Sequence, residues 1–520
     1  MQRALFARQR RLIAESVHRP SPEFVAYEAR VQRRVRTFLR EATYAELLQS
    51  VEASDLVYVG DYHTLKQAQR SFLKLVQRTR RRGRQQILAL EFVQGRHQAA
   101  LDAFLAGGLA AEAFLDRIQY KRHQRFDVWP HFAPIFEEAR LRKLPVVAID
   151  APGGLEARDE YAARRIAKAV RAHPGAQVLT LTGQLHVAPP HLPASVSRAL
   201  GQAGSGLAAL SVYQNCEAIY WDLQTAGREL DVEAALIRPG EFCLINTPPV
   251  VVQQSFLDWI EGGDEPLESD HPERRFKDLA SLVARFLRLD DAAFREALDG
   301  VQVFTAGDLS FLSTLPERGF SKKEIRTIER QILARESYYI PRARIAFLGN
   351  LSVNHAAEEA THFLRHVVSG ASEEERGLVD SFYARALEEA YAFCGSKIVN
   401  PRRKCPHEPE LLKLQRGPDR FQREVARMSL AHLRLERGER PRSAMRTLYR
   451  EAGADLFNAV THTLGYMLGE RLYYALARGR VLKSEVRQLF VDPLDEDGAP
   501  FLTYMDLASR LRDVRIPDRS

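Results

Sequence analysis

Cysteine is scarce in this chain: Cys216, Cys243, Cys394 and Cys405 are the whole supply among 520 residues, and none forms a Cys-x-x-Cys pair. That excludes a disulfide framework and a zinc ribbon, and it suits a reducing compartment. Long apolar runs are missing too. No stretch approaches the roughly 18 consecutive apolar residues of a membrane-spanning helix. The opening segment, MQRALFARQRRLIAESVHRP, has positive charge but no apolar run of signal-peptide length, and no cysteine follows it that could be lipidated. The expected location is cytoplasmic.

A strong excess of one charge is also lacking. Lys and Arg number 75 against 67 Asp and Glu, a formal +8 spread over a large surface. Arginine clusters occur at Arg33, Arg34 and Arg36, at Arg80, Arg81, Arg82 and Arg84, and at Arg402, Arg403 and Lys404. They lack the interleaved aromatics that stack nucleic-acid bases. They read as solvated helix faces and loops, not as a nucleic-acid or membrane surface. Internal repeats and low-complexity tracts are absent.

What is present is ordinary globular composition, 45% hydrophobic and 27% charged, in a chain long enough for two domains or three. Residues 1–50 read as a helical N-terminal segment. Beyond them, short apolar runs alternate with amphipathic segments of helical length, the pattern of a mostly parallel α/β sheet flanked by helices. The strand candidates are Leu56–Val59, Ile87–Leu90, Pro145–Ile149, Val178–Leu181 and Leu207–Val212, each apolar on both faces. Two further β-like runs, Glu217–Leu223 and Phe242–Ile245, would finish the sheet. Near Glu261–His271 a stretch rich in Gly, Pro and acids reads as a linker. The expected division is therefore 1–50, an α/β domain at 51–260, and an all-helical domain at 265–520.

Polar residues sit where those strands end. The first is followed by Gly60-Asp61-Tyr62-His63, the second by Glu91, the third by Asp150, and the fourth by Gly183-Gln184-Leu185-His186. In an open parallel sheet these ends share one edge, outside which ligands bind. Two imidazoles and one or two carboxylates suit a divalent Zn, Mn, Fe or Co ion, which would also acidify a bound water. Glu91 stands out, because an acid closing a buried apolar strand is costly without a partner. The bland alternatives are that Asp61 and Asp150 cap helices and that each histidine merely faces solvent.

The segments VYVGDYH, ILALEF, WPHFAPIFEEARLRKLPVVAID, RDEYAARRIA and VLTLTGQLHV resemble, in order and spacing, the ChaN-like domain of the superfamily that also holds the TraB/Tiki proteins and the erythromycin esterases. The resemblance spans roughly residues 50–220. It implies a site at Gly60–His63, Glu91 and Gly183–His186, with Trp129, Phe132 and Pro134 in the aromatic-proline segment. It also implies two functions. One is binding of haem or iron, for which Tyr62, His186, His123 and His131 are available as ligands. The other is metal-dependent hydrolysis of a peptide or ester, with His63, Glu91 and His186 as ligands or base and Asp61 as a further ligand. This chain carries Asp61 and Asp150 where ChaN-like sequences usually have Glu and often have Asn.

In the second half, His355, Glu359, His362 and His366 fall on one helical stripe. Glu359 and His362 make one Glu-x-x-His unit, half of a di-iron set; with no second unit, a solvated or interfacial stripe is the expectation. Around His462, Gly465 and Gly469 are spaced for close helix packing, within the domain core or at an oligomer contact. Nothing in this half names a partner.

Overall fold

The computed structural model describes residues 2–16, 21–79, 83–123, 127–261, 272–305, 308–333, 337–349, 352–370, 376–439 and 453–517. The arginines at 80–82, most of the linker-like stretch (262–271) and residues 440–452 of the expected helical domain lie outside these. Two compact units emerge, one of Phe6–Leu267 and one of Glu268–Asp518 with Met1–Leu5. Among the described residues no helix is long and apolar enough to cross a membrane.

The first unit is built on an eight-stranded sheet: β1 (Arg40–Ala42), β2 (Leu56–Asp61), β3 (Gln86–Gln94), β4 (Val146–Asp150), β5 (Gln177–Gly183), β6 (Ala209–Gln214), β7 (Ala234–Arg238) and β8 (Glu241–Leu244). Their spatial order is β1-β7-β8-β6-β2-β5-β3-β4. The pairs from β8 through β4 are all parallel; only β1–β7 and β7–β8 are antiparallel. Helices cover both faces, and side chains alternate between them. Val57, Val59, Leu88 and Leu90 join one core with Phe72, Leu75, Phe104 and Phe136. Leu56, Tyr58, Ile87 and Ala89 join the other with Ile166, Leu192, Val196 and Tyr220. Each such side chain, fully buried, stabilises the fold by about 1.5–3 kcal/mol before entropy is counted.

Strand order also sets the site. From β2 the chain crosses over β5 to reach β3, whereas from β5 it crosses back over β2 to reach β6. Neighbouring strands whose connections leave in opposite directions open a crevice at their carboxyl ends. That crevice lies between β2 and β5.

Three elements differ from the sequence expectation. Glu217–Leu223 is not β-like: Glu217–Thr225 is a helix burying Ile219, Tyr220 and Leu223. The β-branched and aromatic residues that suggested a strand occupy helical spacing instead. The N-terminal segment is helical over Gln2–Ser16, Pro22–Arg34 and Tyr44–Ala53, but it also contributes edge strand β1. Its sequence, Arg-Glu-Ala, carries no strand signature, and β7 (AALIR) has good helix formers.

The second unit is mostly helical, with long helices at Val353–Ser369, Leu378–Val399, Arg420–Glu436 and Ala454–Ala477. It also carries a small sheet, β10-β11-β9, made of β9 (Gln302–Thr305), β10 (Tyr338–Ile340) and β11 (Ile345–Leu348). Strands this short leave no alternation to detect. Gly465 and Gly469 lie in the core, where any Cβ would meet the backbone of Ala386 and Ala390. The polar stripe is not simply solvated: Glu358 and Glu359 are buried, while His355, His362 and His366 are half-buried.

Candidate functional site

Register aligns the site before any side chain is considered. Asp61 of β2 pairs with Gly183 of β5. Leu90 of β3 pairs with Leu181, which sets Glu91 level with the end of β5. His63 follows two residues after Asp61, and His186 three after Gly183, in the turns above the crevice. Gly60 keeps room for a close approach, since a Cβ there would stand 2.6 Å from Gln184 Oε1 and 3.3 Å from Gln184 Cα. Gln184 in turn donates to the Tyr62 hydroxyl (3.0 Å) and the Gln214 carbonyl (2.8 Å), tying the two turns together.

Gly183 serves differently. A Cβ on it would lie 3.5 Å from Glu91 Oε2, 3.6 Å from His186 Cδ2 and 3.9 Å from His63 Nε2. The three residues therefore converge around the space that this glycine leaves open.

Each histidine is anchored through Nδ1 by a carboxylate. His63 Nδ1 lies 2.7 Å from Asp61 Oδ2, and Asp61 Oδ1 accepts from Gln69 Nε2 at 2.6 Å. His186 Nδ1 lies 2.6 Å from Asp159 Oδ1 and 3.1 Å from the Tyr27 hydroxyl, which donates to Asp159 Oδ2. The two rings differ in access: the His63 side chain is 43% exposed and that of His186 only 7%. Burial opposes charge on both, but the carboxylates outweigh it. His63 is pushed up to about 9 by the Asp61 hydrogen bond and charge, with Glu91 behind. His186 is raised by Asp159 and Glu91.

Glu91 is engaged through both oxygens. Oε1 accepts from Arg158, and Oε2 accepts from the Thr182 hydroxyl (2.8 Å) and the Gly183 N–H. Burial would raise its pKa, yet His186, Arg158 and His63 hold the carboxyl at about 2. Arg158 also donates to Asp150 at 2.8 Å, joining the end of β4 to β3, which does not stop at Leu90 as the sequence suggested but runs on past Glu91 to Gln94. Burial pushes the Asp150 carboxyl up, although Arg158 pulls the other way.

Neither aspartate caps a helix. The Lys66–Arg78 helix starts at Leu65 and the Leu155–Ala172 helix at Gly154, both without a side-chain cap. Tyr62 packs beside Leu65, Ala68 and Val252, and burial drives its hydroxyl well above the ordinary range. His131, half-buried, sits against the backbone of His63, and burial with Lys66 nearby lowers its pKa. The side chain of His123 lies outside the described residues. Among the described residues, the ligand atoms of His63, Glu91 and His186 are not all within 4.8 Å of one another.

Sequence reasoning missed Asp159, Arg158 and Tyr27. Asp159 did leave a signal: it occupies the buried stripe of its helix with Ala162, Ala163 and Ile166, a place where an acid needs a partner.

No curated protein matches the chain. A solved structure described as cofacial heme binding to ChaN of Campylobacter jejuni is similar at 11% identity, over 34% of this chain and 86% of that one, with a TM-score of 0.27. A family model described as haem-binding uptake, Tiki superfamily, ChaN matches residues 47–156, which hold Asp61, His63, Glu91 and Asp150 but stop short of Asp159 and His186. With that match laid over the parallel sheet, the first unit carries a ChaN-like domain, of a family described as haem-binding.

Proposed function

We propose that this domain binds haem, or an iron or other transition-metal centre, through the Nε2 atom of His63. One observation carries the reading: His63 is held by Asp61 at Nδ1, its side chain is 43% exposed, and its Nε2, 3.9 Å from where a Cβ on Gly183 would stand, makes no hydrogen bond among the described residues. Metal-bound imidazoles commonly give their other nitrogen to a carboxylate, which fixes the ring and raises its basicity. Haem iron takes such a histidine as an axial ligand. The donor chemistry therefore fits the group, which when bound supplies an iron for His63 to ligate. The chain's own residues do the rest. Gln69 holds Asp61, Asp61 aims His63, and His186 with Asp159 and Tyr27 forms a buried wall behind Glu91.

The alternative, a metal-dependent hydrolase, needs Glu91 or a histidine to take a proton. A carboxylate held at about 2, with Arg158, Thr182 and Gly183 on its oxygens, is a weak base at neutral pH. That argues against Glu91 as the base of such a reaction.

Haem titration followed by the Soret band tests the choice. Saturable binding is expected in the wild type and is expected to weaken at least about 100-fold in His63→Ala. Ester or peptide turnover that requires added Mn, Co or Zn, and is lost in Glu91→Ala with the fold retained, would favour the hydrolase instead.

A further inference from the structure

We propose that Cys405, His407 and Glu470 of the second unit bind a divalent transition metal of the zinc or cobalt type. The first two come from Cys405-Pro406-His407, after the Leu378–Val399 helix, and the third from the Ala454–Ala477 helix. Glu470 Oε2 lies 3.1 Å from Cys405 Sγ and 3.2 Å from His407 Nε2, and all three ligand atoms fall within 4.8 Å of one another. Zinc bonds of about 2.3 Å to sulfur and 2.0–2.2 Å to nitrogen or oxygen give tetrahedral edges of roughly 3.3–3.6 Å. The two edges at Glu470 Oε2 need widen by only a few tenths of an ångström to reach that size, and the third, from Cys405 to His407, is within 4.8 Å.

The surroundings support the same assignment. The other oxygen of Glu470 accepts from Lys397 Nζ at 2.9 Å, and Lys397 also donates to the Arg403 carbonyl at 2.7 Å. A ligating carboxylate is usually fixed in this way from behind. Cys405 and Glu470 are buried, whereas the His407 side chain is 36% exposed and gives an ion a way in. Without metal, burial and the adjacent Glu470 keep Cys405 a neutral thiol. On binding, the S–H proton passes to solvent and the sulfur bonds the ion. One thiolate and one carboxylate then face the two positive charges of the ion and the ammonium of Lys397, with imidazole as the neutral third ligand.

The full-length protein, stripped with a chelator and titrated with Co(II), reads this directly. One equivalent is expected to give a near-ultraviolet thiolate-to-cobalt charge-transfer band. The band should vanish in Cys405→Ser, and apparent affinity should fall at least roughly tenfold in His407→Ala, judged against losses typical of metal sites. His407 is part-exposed, so its variant keeps the test alive should Cys405→Ser fail to fold. His63→Ala should leave the band intact, which separates this site from the one at the sheet edge. A wild type without the band, or a folded Cys405→Ser that retains it in full, overturns the proposal.

Discussion

The two units treat charged side chains in opposite ways. At the carboxyl edge of the sheet, Asp61, Glu91 and the Nδ1 atoms of both histidines are hydrogen-bonded, while His63 Nε2, on the more exposed ring, makes no hydrogen bond among the described residues. In the helical unit two ion pairs are shut in: Lys397 with Glu470 and Arg403 with Glu358 have side chains less than a tenth exposed. An open ligand on a fixed mount suits exchange with something from solvent. Enclosed pairs suit holding helices in place, because a buried charge deprived of its partner is costly. Substitutions should therefore cost stability in one unit and binding in the other.

The largest effect is expected from Lys397→Met, which leaves Glu470 buried with only the part-exposed His407, 3.2 Å away, to offset its charge. About 3–5 kcal/mol should be lost in urea unfolding, and a loss below about 1 kcal/mol would erase the contrast. His63→Ala should do the reverse. Haem affinity should fall at least about 100-fold, roughly 2.7 kcal/mol, with unfolding unchanged within about 0.5 kcal/mol. Asp61→Asn keeps the hydrogen-bonding shape but loses the charge behind His63, so affinity should drop roughly 10–100-fold. An unchanged affinity would mean that Asp61 does not position the ring.

The smallest effect concerns pH. Glu389 lies 3.0 Å from His462 Nδ1, and although burial opposes it, the histidine holds the carboxyl at about 2 against an ordinary 4.5. A depressed folded pKa stabilises above the ordinary value, and the gain is lost as pH falls from 4.5 toward 2. His462 is half-exposed, so solvent screens the pair. Acid unfolding of Glu389→Gln should be flatter than wild type over that window; identical curves would remove the pair from the account.

Much of the sheet was legible because buried parallel strands are short apolar runs and their carboxyl ends can be read off directly. Gly60–His63, Glu91 and Gly183–His186 stood out for that reason; Glu91, His186 and His63 all come within 4 Å of where a Cβ on Gly183 would stand, although their ligand atoms are not all within 4.8 Å of one another. Their supports were hidden. Arg158 and Asp159 sit in a charged helical segment that looks solvated until the apolar stripe is traced through Asp159. Tyr27 comes from a helix far back in the chain, and nothing local marks its hydroxyl as a partner of His186. β1, β7 and the three strands of the second unit are too short or too rich in helix formers to show a period. Cys405 and Glu470 lie 65 residues apart, with no periodic pattern to join them.

Resonance Raman spectroscopy of the ferrous, haem-loaded protein tests the central claim most directly. An iron–histidine stretching band is predicted in the wild type, lost in His63→Ala and restored by added imidazole. The same band persisting unchanged in His63→Ala, or an iron–phenolate signature in the ferric wild type, would contradict His63 as the ligand.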